Sequence, residues 1–557
     1  MGWSAHEGTM ERLRPRLDFA RFDRLRSYGV EQEVAAGDVL TRSGDFEHDL
    51  VVLDEAHVEI VREASFDRPE EVVMTMGPGD FLGEVNLLGN YMAFVTVRVV
   101  APGRVHRLSK DRFRTMMAEE VELSDIVLEA LLVRREYLHE VVRPVDVVGH
   151  HMSSATLALR TYAARVRLPY AWHDADSPDG RRLLDTVGLR GDDLPAVVFA
   201  GQVTRNVTPG ILAERIGKAY RPSCKDVDLV VVGAGPAGLA AGLYGASEGL
   251  NTVVLDALGA GGQAASSSRI ENYPGFPHGI AGEELTRLSS IQALKFGAEM
   301  YMPCRVERLD TTGPDPVLYL ADGSRIDTRA VVVASGARYR TLPLEGWADF
   351  EESGCIFYAA TELEVRSCSR HPVTVVGGAN SAGQAALYLA GRGSRVDLVV
   401  RGPDLSAKMS EYLVARLHDH PDVTVHTGTE VTGLKGDRKL AEVVLTDRRT
   451  GREAARPTSG LFCFIGASPA TGWLDGVTRD RSGFVCTDSS LAEPGLGPVW
   501  EKLGRGPLPF ETSAPSVFAV GDTRTGSIKR VAAAMGEGAS AIASVHAALA
   551  ERRHRTV

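Results

Sequence analysis

The stretch DLVVVGAGPAGLAAGLYGASEGLNTVVLDA, Asp228 to Ala257, constrains the fold of this chain more than any other. Its apolar run from Leu229 to Val232 reads as a strand buried on both faces. Gly233-Ala234-Gly235-Pro236-Ala237-Gly238 follows, and then a helix of small residues. In this arrangement Gly233 makes the tight turn, Gly235 leaves the backbone bare for a pyrophosphate, and Gly238 lets helix and strand close on one another. Pro236 and Ala237 open the helix, whose unpaired N–H groups and dipole favour an anion. Asp256 ends the next strand, where a carboxylate accepts from ribose hydroxyls. Strand, turn, helix and acid in this order predict a dinucleotide-binding βαβ unit.

A second version, VTVVGGANSAGQAALYLAGRGSRVDLVVRGPDL, differs in two places. Gly377 and Gly378 form the turn and Ala382 takes the third glycine's place, with Asn380 and Ser381 at the predicted helix start. Ala379 stands where the second glycine is expected, with its Cβ toward the pyrophosphate space. The following strand ends in Val400-Arg401 rather than an acid. An arginine without the ribose-binding carboxylate favours a 2′-phosphate, hence NADP over NAD. Two nucleotide-binding turns in one chain predict a bound flavin and a nicotinamide donor.

A chain of 557 residues is too long for one core. The formal charge of -11 gives no nucleic-acid footprint. The six cysteines, 224, 304, 355, 368, 463 and 486, show no CxxC spacing, which fits a reducing cytoplasm and gives no zinc site. No apolar run is long enough for a membrane span, and no metal site is expected. Up to about Ala101 the chain alternates apolar and polar residues between Gly, Asp and Pro turns, as in AAGDVLTRSGD, which predicts an antiparallel β barrel or jelly roll. Helical spacing follows to about Arg143, where Pro144 is expected to end the helix. The predicted domains are 1–143 (β barrel with C-terminal helices), 144–220 (a small α/β module), 225–341 with 461–557 (FAD-binding), and 342–460 (NAD(P)H-binding).

Residues 226 to 550 resemble the low-molecular-weight thioredoxin reductase family of flavoproteins. GAGPAG, Gly261-Gly262-Gln263, Glu271-Asn272-Tyr273-Pro274-Gly275-Phe276, Ala334-Ser335-Gly336-Ala337, GGANSAG and Val520-Gly521-Asp522 occur in the family's order. The resemblance implies FAD contacts from Gly262, Gln263, Asn272, Ala334 and Gly336. It places Gly521 and Asp522 at the ribityl chain, and Lys529, Arg530 and Val531 near the pyrimidine end of the flavin. It further implies NADPH as donor and a homodimer. The family's redox dithiol has the form Tyr-Cys-Ala-Thr-Cys, whereas Tyr358-Ala359-Ala360-Thr361-Glu362 stands here. Without adjacent thiols the usual disulfide exchange is closed. The expected acceptor is therefore a quinone, a small organic substrate, oxygen or a redox protein. Glu362 is a candidate proton donor, beside the alternative of a solvated surface glutamate. Cys368 is a candidate lone redox thiol, beside the alternative of a packing residue. A thiol–disulfide enzyme using Cys368 and a redox or ligand sensor are the competing readings.

AAGDVLTRSGD with GPGDFLGEVNLLGNYMAFVTV resembles a cyclic-nucleotide-binding domain, with Gly83-Glu84 at the phosphate and ribose loop. Ala93 occupies the place of the family's phosphate-binding arginine, which predicts weak or absent cyclic-nucleotide binding and a structural or dimerising module. Residues 145 to 218 resemble a glutaredoxin-like fold, with Leu194-Pro195 as the cis-proline loop and His150-His151-Met152-Ser153-Ser154 where thiols would lie.

Overall fold

The computed structural model describes residues 11–556 except 47, 66–67, 90, 222–225, 268, 359, 361–367, 369, 438, 492–495 and 497. The chain divides into two compact units, Met1–Val227 with Gly245–Gly259 and Ile291–Arg305, and Asp228–Tyr244 with Ala260–Ser290 and Val306–Val557.

In the first unit the alternating N-terminal segments form eight strands: β1 (Val30–Val34), β2 (Val39–Thr41), β3 (Leu50–Leu53), β4 (His57–Arg62), β5 (Glu71–Met76), β6 (Phe81–Leu82), β7 (Thr96–Ala101) and β8 (Gly103–Leu108). They pair antiparallel in two four-stranded sheets, β1-β8-β3-β6 and β2-β7-β4-β5. The inward residues of the alternation, among them Val51, Leu53, Val58, Met76, Val97 and Val105, share one core. Helix α1 (Phe19–Ser27) precedes the barrel and is capped by Asp18, whose Oδ1 accepts from Arg21 N at 2.8 Å. Helices α2 (Lys110–Glu119) and α3 (Val121–Tyr137) follow it. The α-helix stops at Tyr137, short of Pro144: a π-helical turn, Leu138–Val142, and a left-handed Arg143 (φ 44°) intervene.

Residues beyond Pro144 alternate strand and helix: β9 (Val145–Gly149), α4 (Ser154–Arg165), β10 (Tyr170–Asp174), α5 (Pro178–Val187), β11 (Ala196–Phe199), β12 (Gln202–Thr204) and α6 (Pro209–Ile216). Their sheet runs β10-β9-β11-β12, with β9 and β10 parallel and β11 antiparallel to both β9 and β12. The Leu194-Pro195 peptide is cis. Two later segments belong to this unit, and their strands Thr252–Leu255 and Glu299–Tyr301 pair in parallel. Tyr91 Oη donates to Met300 O (3.2 Å), Tyr162 Oη to Met302 O (2.8 Å), and Met302 N to Lys218 O (2.9 Å).

The same region buries charge. The Lys218 ammonium lies 3.2 Å from the Tyr91 ring centroid, and burial drives its pKa well below the ordinary lysine value. Arg135 stacks on Phe94 and approaches Glu84 Oε2 at 3.8 Å. Burial pushes the Glu84 carboxyl up to about 7, because desolvation outweighs the pull of Arg135 and the hydrogen bonds from Phe94 and Asn86.

In the second unit β13 (Val227–Val232) leads into α7 (Pro236–Ser247), and α8 (Gly282–Lys295) follows. Strands β14 (Val306–Asp310), β15 (Val317–Leu320) and β16 (Arg325–Val333) continue the sheet as β13-β16-β15-β14. Strands β17 (Ile356–Phe357), β18 (Val373–Val376), β19 (Val396–Val400), β20 (Val423–Thr427) and β24 (Leu461–Cys463) form a second, wholly parallel sheet ordered β17-β24-β18-β19-β20. Their near-continuous Val and Leu runs suit strands covered on both faces. Helices α9 (Asn380–Gly391) and α10 (Glu411–Asp419) pack on it. Strands β21 (Thr429–Gly436), β22 (Leu440–Asp447) and β23 (Glu453–Pro457) make a separate antiparallel sheet. Strand β25 (Val517–Ala519) pairs parallel with β16, and helix α11 (Val531–Thr556) completes the unit.

Glu84 sets a pH dependence. Below about 4.5 both folded and unfolded chains hold its proton; between about 4.5 and about 7 only the folded chain does, so stability falls as pH rises through that window. Glu84→Gln is expected to be more favourable at pH 8 than at pH 5 by on the order of 2 kcal/mol, relative to the native chain, in urea unfolding at the two pH values.

Candidate active site

The first glycine turn has three roles written into its geometry. Gly233 has φ +108°, and a Cβ there would lie 2.2 Å from Ala334 O. A Cβ on Gly238 would lie 1.8 Å from Gly233 O, so the third glycine lets α7 close onto its own strand. Gly235 is different: the nearest atom to a Cβ there is Gly262 Cα, at 3.8 Å. Nothing in the protein requires a glycine at 235, yet the site is left bare. Gly262 faces it from the loop fixed by the Gly261 N–Ala234 O hydrogen bond of 2.7 Å. Two side-chain-free backbones at the N-terminus of α7 are the cradle a pyrophosphate requires, so these residues fit FAD.

Around that cradle, Gln263 Nε2 donates to Ala337 O (2.9 Å), and Ala334 N donates to Val232 O (2.8 Å). Gly336 O accepts from Ala470 N at 3.0 Å. Pro236 opens α7 and Ala237 is buried beneath the loop of Gly521, whose Cβ would lie 2.8 Å from Ala237 Cβ. Glu537 on α11 accepts from Gly521 N at 2.7 Å and pairs with Arg524 at 2.9 Å, which fixes the loop carrying Asp522. Burial raises the Asp522 carboxyl above its ordinary range, and Lys529 pulls it partly back. Lys529 Nζ donates to Asp522 O at 2.6 Å. Arg530 is exposed just before Val531, the first residue of α11. Asn272 is exposed on the loop before Tyr273, whose Oη contacts Met535 Sδ at 3.0 Å. The tail VAAAMGEGASAIASVHAALA reads as a packed helix broken by Gly and Glu, but the partners of its Glu537 and Gly538 are not read from it. A Cβ on Gly538 would lie 2.0 Å from Ala237 O, so α7 and α11 touch backbone to backbone. Asp256 belongs to the first unit, where its Oδ1 accepts from Leu258 N (2.8 Å) and Gly259 N (2.9 Å).

The second turn repeats the pattern. Gly377 has φ +150° and a Cβ there would lie 2.4 Å from Phe464 O and 2.9 Å from Ala382 Cβ. A Cβ on Gly378 would lie 2.9 Å from Val400 Cγ1, so the turn abuts the strand end that carries the exposed Arg401. Ala379 is the N-cap residue of α9, at φ -114°, and is exposed together with Asn380 and Ser381. Its methyl group meets no conformational obstacle. Asn380 Oδ1 accepts from Ser410 N at 2.8 Å, which ties the helix start to the loop before α10.

The match to the model of the pyridine nucleotide-disulphide oxidoreductases spans residues 227–538. The chain belongs to that family. It is an FAD-dependent NAD(P)H oxidoreductase. The oxidoreductase is 31% identical over 318 residues to the thioredoxin reductase of Treponema pallidum, covering 57% of this chain and 95% of that one. It is 30% identical over 315 residues to an NADH dehydrogenase of Bacillus subtilis, covering 56% of this chain and 57% of that one. The solved thioredoxin reductase of Lactococcus lactis is similar at 26% identity, with a TM-score of 0.51, covering 58% of this chain and 100% of that one. A second family model, the cyclic nucleotide-binding domain, matches residues 31–120.

Glu362 lies outside the described residues. Cys368 is buried in the core of the second sheet with Val373, Val375, Leu389 and Phe462. A Cβ on Gly460 would lie 2.7 Å from its Sγ. Cys304, Cys355, Cys463 and Cys486 are likewise buried. Burial pushes the Cys463 thiol up to about 11 and raises that of Cys486. The described residues contain no group of three or more His, Cys, Asp or Glu placed to hold a metal ion, and no helix long and apolar enough to cross a membrane.

The contrast between Gly235 and Gly238 is testable. Gly235→Ala is expected to keep the fold and its unfolding midpoint but to weaken FAD binding at least about 10-fold, since the methyl enters the cradle alone. Gly238→Ala is expected to lower stability by about 3 kcal/mol, since its methyl meets a carbonyl. Flavin absorbance per protein and thermal unfolding separate the two.

Proposed function

We propose that this oxidoreductase takes reducing equivalents from NADPH through FAD and delivers them to an acceptor that is not a disulfide: a quinone, a small organic substrate, oxygen or a redox protein. The observation that carries the reading is the placement of sulfur. Tyr358 to Glu362 holds no cysteine, the six cysteines have no CxxC pair, and all five described ones are buried. Disulfide exchange needs an accessible thiolate, and burial disfavours that form. The similar protein of Bacillus subtilis named an NADH dehydrogenase keeps such chemistry within the range of relatives.

Bound FAD supplies two-electron exchange between a nicotinamide and the acceptor. The residues proposed to hold it are Gly233, Gly235, Pro236, Ala237, Gly238, Asp256, Gly262, Gln263, Asn272, Ala334, Gly336, Gly521, Asp522, Lys529, Arg530 and Val531. Lys529 and the start of α11 put positive potential at one end of that site, which favours a negative ring edge. Gly377, Gly378, Asn380, Ser381 and Ala382 are proposed to hold the nicotinamide nucleotide, with Arg401 on its 2′-phosphate. Glu362 is proposed as a proton donor to the acceptor. Support for four domains comes from the separate parallel sheet, which draws on 342–460 and extends just past it to β24, and from the βαβαββα order of 144–220 with its β10-β9-β11-β12 sheet, the arrangement of a glutaredoxin-like module.

Anaerobic NADPH is expected to bleach the flavin, and Cys368→Ser to leave reoxidation by a quinone within about 2-fold of the native rate. Loss of that reoxidation in Cys368→Ser, measured by stopped-flow absorbance, overturns the sulfur-free reading. Arg401→Ala is expected to raise KM for NADPH about 10-fold or more while leaving KM for NADH within about 2-fold, by steady-state kinetics with each donor.

A further inference from the structure

The N-terminal barrel encloses a cavity of about 80 Å³ whose walls are chiefly Ile60, Met74, Met76, Leu82, Val97 and Leu138. Its position matches that of the Gly83-Glu84 loop, but its chemistry does not suit a cyclic phosphate. Ala93 lines it in place of a cation. The backbone donors beside Ala93 are already engaged: Met92 N with Ile216 O (3.2 Å), Ala93 N with Asp45 O (2.8 Å) and Phe94 N with Glu84 Oε1 (3.3 Å). Arg134 also lines the cavity, yet its Nε donates to Leu13 O (3.0 Å), its Nη1 to Gly83 O (3.2 Å), and its guanidinium stacks on Phe81 at 4.6 Å. Asp49 and Glu84 add carboxylates to the same lining. A phosphate anion placed here meets two acids and a single arginine that two backbone carbonyls and an aromatic ring already hold.

What the cavity does offer is hydrogen-bond capacity without partners. Glu84 is 7% exposed, and its Oε2 accepts no hydrogen bond, with Arg135 Nη1 facing it only at ion-pair distance, 3.8 Å. Neither ring nitrogen of His48 makes a hydrogen bond of good geometry, although the Phe46 backbone and Asp49 lie near the ring. A buried acceptor left unsatisfied in an apolar cavity is costly, and a ligand that donates to it while filling the apolar space gains from both effects. A neutral imidazole supplies one donor and one acceptor beside it. The volume admits a compact ring or short chain, not a nucleotide, against roughly 300–1,000 Å³ for a pocket of drug-sized ligands.

We propose that this cavity binds a small, uncharged, mostly apolar molecule bearing a hydroxyl, of the phenol or cyclic-alcohol type, whose O–H donates to Glu84 Oε2. The apolar walls hold its body, and His48 is the second polar contact. The barrel is then a sensor of such a compound rather than of a cyclic nucleotide.

Titration calorimetry on the full-length holoprotein tests this with phenol, cyclohexanol, benzene, cyclic AMP and cyclic GMP. Phenol or cyclohexanol is expected to bind saturably with Kd below about 1 mM. Benzene is expected to bind at least about 10-fold more weakly, for want of the hydroxyl. Neither cyclic nucleotide is expected to give heat. Glu84→Met, which keeps the volume and removes the acceptor, is expected to bring the hydroxyl compounds within about 3-fold of benzene. Glu84→Gln retains a weaker, neutral acceptor and is expected to fall between, which keeps the comparison available if the methionine variant does not fold. Absence of binding by both hydroxyl compounds up to about 1 mM to folded protein means that the cavity merely holds water, and the proposal falls. Equal affinity for benzene and phenol, or saturable binding of cyclic AMP or cyclic GMP, overturns it as well.

Discussion

The second unit depends on places where backbone meets backbone with no side chain between. Gly238 against Gly233 O closes the turn on itself, while Gly233 against Ala334 O and Gly538 against Ala237 O join segments distant along the chain. A carbonyl facing a Cα has no rotamer to relax, so a methyl group at any of these glycines must displace a strand or a helix. Helix α7 therefore has one available position, and its N-terminus is aimed by the packing rather than by a ligand. The cradle at Gly235 and Gly262 inherits that rigidity. The protein builds its anion site from the fold's tightest contacts and leaves only the cradle itself loose.

The first unit rests on a different constraint. Glu84, Tyr91 and Tyr162 are buried, with Lys218 and Arg135 part-buried against them, where each charge is expensive to desolvate. Lys218 is met by an aromatic face and Arg135 by both an aromatic face and a carboxylate, while the tyrosine hydroxyls bond to Met300 O and Met302 O. Apolar packing of equal volume would hold these segments as firmly. What the polar contacts add is register, because a hydroxyl on a given carbonyl fixes which residue of the strand sits opposite.

Much of this was legible in the sequence because it is local. The glycine turns, the apolar runs of β13, β18 and β19 and the alternation of the barrel are set by neighbours a few residues apart. The roles of Glu537 and Gly538 were not legible, since their partners Gly521 and Ala237 are brought near only by the tertiary fold. The end of α3 was misplaced for a related reason: Pro144 blocks a helix further on, but the π-turn and the left-handed Arg143 end the regular α-helix at Tyr137. The dense surroundings of Cys368 were beyond the sequence too, because a cysteine reads alike whether it reacts or packs. Ala93 shows the opposite case. One missing arginine in a recognisable loop is plain in the sequence, whereas the apolar walls beside it come from strands far apart along the chain.

Buried sulfur bears on how electrons leave the proposed flavin site. A thiol held up to about 11, as at Cys463, is thiolate in roughly one molecule in ten thousand at pH 7. Exchange through such a group is slow even before access is considered, and the buried side chains give a partner disulfide no line of attack. A dithiol relay also lets donor and acceptor be separated in space, because the sulfurs carry charge between them. On the proposed reading, without such a relay, the acceptor must itself come within transfer distance of the flavin. Its shape and polarity then become subject to the walls of the site, so a sulfur-free route turns a problem of thiol reactivity into one of binding.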